Sequence, residues 1–142
     1  MFNIFSLIEF NFIALTVSVF FAALFIVLGL PLFFKKIKRN YFFGYRISHY
    51  AMLDDDIWYA VNQQGGRHLL VMGLLLAINS VFAWLFLGHL EIQKIILYTD
   101  GLIILIGFLY SLAKGKHLND KLARAKGLKN HIHPQNLYKI SQ

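Results

Sequence analysis

Three apolar stretches constrain this chain more than any other feature: residues 10–34, 69–88 and 95–113, of which only the last carries a charge, Asp100. At about 1.5 Å per residue the first reaches roughly 37 Å, enough to cross a ~30 Å hydrocarbon layer with some tilt. Composition agrees, with 58% apolar and 15% charged residues where soluble domains run near 45–50% and about 25%. The spacing predicts an all-α membrane protein with three transmembrane helices. Gly88-His89 and the few residues to Lys94 leave room only for a tight antiparallel hairpin between the last two. The first stretch is read as a retained helix, because Glu9 precedes it with no Lys or Arg and it is too long for a cleavable signal. Two divisions follow: a membrane module over 1–116 and a basic tail over 117–142.

Charge sets the expected orientation. The segment 35–68 and the tail from 114 together hold thirteen Lys and Arg, against Lys94 alone on the opposite side. The positive-inside rule then places the N-terminus outside and the C-terminus in the cytoplasm. The tail, with Leu118, Leu122 and Ala125 among lysines, reads as a basic amphipathic helix on anionic lipid of the cytoplasmic face. Nucleic acid is not an expected partner, since no aromatic platform accompanies the charge.

The first loop holds the informative residues. Asp54-Asp55-Asp56 suit the start of a helix through the dipole and its unpaired amides. A short interfacial helix over 53–64 is expected, stopped by Gly65-Gly66. Ile57, Trp58 and Val61 share one face of it, which is expected to lie against the headgroup region or to fold back on the helix ends, with Trp58 as an interfacial anchor. Gly44 lies among aromatics and marks a turn, to which Asn62 can hydrogen-bond. Arg46 is read as a clamp onto Asp54–Asp56 or onto the C-terminal carbonyls of the first helix, in preference to a ligand for a lipid phosphate, a carboxylate or an acidic partner.

Asn40-x-x-x-Gly44-Tyr45-Arg46, then Trp58, Asn62 and Gly66 leading into an apolar helix, resembles the SdpI family, whose namesake is a membrane immunity protein against a secreted bacterial toxin. The resemblance covers about 24–90, with Ile47-Ser48 where the family usually has Thr and often Pro. It implies a short, single-module member that binds a toxin or membrane partner without catalysis. Asn40, Gly44, Tyr45, Arg46, Trp58, Asn62 and Gly66 are then the candidate structural or partner-binding residues.

Asp100 joins them on physical grounds alone. It lies roughly 8 Å inside the third stretch, where a carboxylate is costly and a functional candidate. It either faces the bundle, with Asn79, Ser80 or His89 as partner, or sits hydrated near the surface. No metal site is expected: consecutive aspartates diverge on a helix, and His131-x-His133 with His117 lacks a shared face. Zero cysteines exclude thiolate and disulfide chemistry. No catalytic or cofactor motif is visible. The alternatives to an immunity-type protein are an accessory subunit of a larger membrane complex and part of an oligomeric transporter. Homo-oligomers fit any of the three.

Overall fold

The structure, a computed structural model, describes residues 4–45 and 49–128. Arg46, expected as a clamp, and the His131-x-His133 pair lie outside the described residues. Among the described residues there are four helices: α1 (Ile4–Phe33), α2 (His49–Leu53), α3 (Asp55–Leu85) and α4 (Leu90–Ala125). Among the described residues α1, α3 and α4 each contain a segment long and apolar enough to cross a membrane. The expected all-α architecture with three spans and a short helix in the first loop is therefore present.

The boundaries differ from those expected, for a physical reason. The short loop helix is His49–Leu53, and residues 55–64 form the beginning of α3, which runs unbroken through Gly65-Gly66. Those glycines lie where other chain segments come close, so they pack the helix and do not end it. Likewise α4 continues past residue 113 to Ala125. Its last turns pack on α2 and the start of α3, where a separate surface helix was expected. At about 1.5 Å per residue α3 and α4 are roughly 47 and 54 Å long, so both extend well beyond a ~30 Å layer. At that loop end Ala51, Ile57, Trp58, Val61 and Ala123 form a buried cluster.

Within the spans the usual pattern is inverted. The buried stripe of α4 is Gln93, Ile96, Asp100, Ser111, Gly115, Asn119 and Ala123, mostly small or polar. Leu102, Leu105, Ile106, Phe108 and Leu109 face outward. On α1 the buried residues include Ala14, Ser18 and Ala22, at spacings of four. Lipid tails are as apolar as leucine, so association in a bilayer depends on close backbone approach and interhelical hydrogen bonds. Gly73 illustrates the approach: a Cβ there would lie 3.1 Å from Ala22 O and 2.8 Å from an Ile26 side-chain carbon.

The loop end is tied by both backbone and charge. α1 stops in a Schellman arrangement, with Lys36 N–H donating to Pro31 O at 2.9 Å and Lys35 N–H to Leu32 O at 3.2 Å. Lys35 takes the left-handed position at φ 56° that glycine usually fills. Asp54 caps α3 by accepting from Ile57 N–H at 3.0 Å, and Lys126 donates to Asp54 at 2.8 Å and to Asp56 at 2.6 Å. Arg39 meets Asp55 at 3.2 Å. The Lys126 bond, followed by the Ile57 amide, holds the Asp54 carboxyl below its ordinary range. A folded-state pKa below the unfolded one contributes stability above the unfolded value, lost as pH falls through the folded value. Wild type should thus be more heat-stable than K126Q at neutral pH in detergent, the difference closing below about pH 4. A gap that persists on acidification would refute the assignment.

Candidate functional site

Two polar centres are built into this apolar frame. The first begins at Asn40, whose Oδ1 accepts from Phe42 N–H at 2.8 Å and Phe43 N–H at 2.7 Å while its Nδ2 donates to Lys38 O at 2.8 Å. Such an Asx turn fixes the backbone locally. The chain then passes Gly44 at φ +119°. A Cβ there would also lie 2.5 Å from Asn62 Oδ1 and 3.0 Å from the Trp58 ring. Asn62, 2% exposed, accepts Tyr45 N–H at 2.6 Å and donates to Trp58 O at 2.9 Å. Trp58 is fully buried, and its Nε1 donates to Ile37 O at 3.2 Å.

Trp58 is accordingly a core residue: of the two placements expected for its face, the folded-back one is found, and the interfacial anchor role expected of Trp58 is corrected. Its face of α3 folds back on the loop and on the end of α4, which removes the indole from solvent and lipid alike. The Tyr45 ring lies across Gly65, where a Cβ would come within 2.3 Å of it. Beyond it, Ser111 Oγ donates to the Tyr45 hydroxyl at 3.0 Å and meets His68 Nδ1 at 3.0 Å, and Gln64 meets His68 Nε2 at 3.0 Å. Burial raises the Tyr45 phenol above its usual range, partly countered by the Ser111 bond.

Gly66 has a different task. It faces α1 where the two helices touch backbone to backbone, its Cα opposite Phe33 N and Gly29 O. Next to it Gln63 Nε2 donates to Phe33 O at 3.2 Å, satisfying a carbonyl that the end of α1 leaves open.

The second centre is Asp100. It is 1% exposed, Asn79 Nδ2 donates to its Oδ1 at 2.8 Å, and the Ser18 hydroxyl bonds its Oδ2. Ser18 Oγ also lies 3.0 Å from Ala14 O. One residue from each span thus meets at one level. Of the partners weighed from sequence, Asn79 is there; Ser80 turns to its own helix at Ala77 O. Ser18, His68 and Ser111 escaped the sequence reading. The signal for Ser18 was its place between Ala14 and Ala22 at small-residue spacing.

Replacing Asp100 by leucine removes both interhelical bonds. Such bonds average about 0.6 kcal/mol, up to about 1.7, so Asp100→Leu should destabilise the bundle by roughly 1–2 kcal/mol. The cost of carrying a carboxylate into lipid falls on the helix whether or not the bundle assembles, and does not offset this. Unchanged unfolding in detergent would contradict the pairing.

Among the described residues no group of His, Cys, Asp or Glu is arranged to hold a metal ion. The polar atoms at both centres are engaged with one another, which suits holding a shape. A family model described as the SdpI/YfhL protein family matches residues 36–113, spanning the first centre and reaching Asp100. No curated protein and no solved structure matches the chain.

Proposed function

The chain belongs to the SdpI/YfhL family, and from that premise we propose that it is a non-enzymatic bacterial inner-membrane protein that protects the envelope by binding a toxin or a membrane partner. One observation carries the reading. The turn pinned by Asn40, Gly44 and Asn62 holds Phe42 96% exposed and Tyr41 72% exposed among Lys36, Lys38 and Arg39. A turn fixed at so many points yet presenting bare aromatics is built to touch something outside the chain, as aromatic anchors of interfaces do. Charge supports an outside N-terminus and a cytoplasmic loop end, so this contact lies on the cytoplasmic face. Asp100 and its partners then act as an internal fastening and not as a contact surface.

The test is a deletion strain challenged with membrane-active peptide toxins and complemented with wild type or Phe42→Ala. Wild type should restore survival, and the variant should lose about tenfold in protection, the effect of one modest anchor. Full protection by Phe42→Ala, at equal membrane abundance, would overturn the assignment of the turn. An accessory subunit of a larger complex is the second reading, favoured by the bare Phe12, Phe20 and Val27 along α1. Mild-detergent purification separates the two: a large complex of fixed stoichiometry would replace the first reading with the second.

A further inference from the structure

A groove of about 580 Å³ runs between α3 and α4, open sideways from the bundle. Its walls include Met72, Leu75, Leu102 and Ile106, and Gly107 forms part of its floor over the Met72 side chain. The loop end is chemically different. There the His68 ring stands 5.2 Å from that of Tyr110, and Lys114 Nζ lies 5.5 Å from the Tyr110 ring centroid. Lys114 is exposed, and among the described residues it pairs with no carboxylate.

The shape selects the occupant. Along α4 the lining extends from Thr99 to Tyr110, roughly 16 Å, so the mean cross-section is roughly 36 Å². That is a narrow trough along α4, of a width that suits an extended hydrocarbon chain. An apolar slot that ends at an unpaired ammonium also matches a molecule with an apolar tail and an anionic head. We propose that the α3–α4 groove is a specific site for an anionic phospholipid, with one acyl chain between Met72 and Ile106 and the phosphate at Lys114. The site stands apart from the Phe42 turn and holds whether or not the chain binds a toxin.

Native mass spectrometry of the full chain in mild detergent, titrated with phosphatidylglycerol or phosphatidylcholine, tests this. Wild type should retain one phosphatidylglycerol about fivefold more tightly than phosphatidylcholine, the effect of one lysine near the phosphate. Lys114→Gln should remove that preference and leave phosphatidylcholine retention as it was. Ile106→Trp, at a position 61% exposed, should fill the slot and abolish retention of both lipids at unchanged helix content. Leu102→Trp serves the same purpose if the first variant does not fold. Equal retention of the two lipids by wild type, a preference that survives Lys114→Gln, or retention indifferent to both tryptophans would each overturn the proposal. So would a co-purified polypeptide, in place of lipid, that Ile106→Trp displaces.

Discussion

Gly66→Leu should cost the bundle at least about 3 kcal/mol and most of its folded yield, whereas Gly101→Ala should be neutral or slightly stabilising. The two glycines differ only in what a side chain would meet. At Gly66 a Cβ would stand 2.5 Å from Phe33 N, 2.8 Å from Gly29 O and 3.0 Å from Leu32 Cβ. The first two are backbone atoms of α1 and cannot rotate away, so the helices must move apart. Overpacking of this kind costs about 1–3 kcal/mol for added methylenes, and a whole leucine against main chain lies at or above that range. Separation of α1 from α3 also breaks the Gln63 bond to Phe33 O and the backbone approach at Gly73. At Gly101 nothing lies within 4 Å, and alanine gains about 0.5–1 kcal/mol of helix propensity. Unfolding in detergent with increasing denaturant measures both. Equal stabilities would mean that α1 and α3 do not meet at Gly66.

The same residue shows where sequence reasoning stopped. The three spans were legible because hydropathy over twenty residues is a local property, and the charge asymmetry because it is a count. Gly65-Gly66 read as a helix stop because glycine in water exposes backbone and costs entropy. Inside a bundle the same absence of a side chain permits contact with Tyr45 on one face and α1 on the other, and contact is not local. Ser18 was passed over for a related reason: its carboxylate partner is 82 positions away, and the small-residue spacing Ala14–Ser18–Ala22 marks a packing stripe without naming what the hydroxyl bonds. Asn62 was accessible because its partner, the Tyr45 N–H of the Gly44 turn, is only 17 positions away. Asp100 announced itself by cost, and only the fold could choose between a hydrated acid and one pinned by Asn79 and Ser18.

Trp58→Ala should destabilise the loop end by about 3–5 kcal/mol, the range for removing a fully buried aromatic. Trp58 is among the largest side chains with no exposure, and Ile57, Val61 and Ala123 are buried in the same cluster. Its ring also forms the floor beneath Gly44, so truncation frees the turn that Asn62 holds by Tyr45 N–H. The lost Nε1 bond leaves Ile37 O without that donor, worth about 1 kcal/mol. Trp58→Phe keeps most of the volume and loses that bond, and should cost roughly 1–2 kcal/mol. The pair distinguishes a core tryptophan from a lipid anchor: an anchor at the surface loses little on truncation and nothing from a missing acceptor. Because the α1–α3 contact at Gly73 and the Asp100 centre lie in the spans, Trp58→Ala should open the loop end first. Amide exchange at 40–45 and 57–62 should rise while the spans stay protected. Uniform protection with unchanged unfolding would return Trp58 to the membrane surface and remove the support on which the exposed Tyr41-Phe42 turn depends.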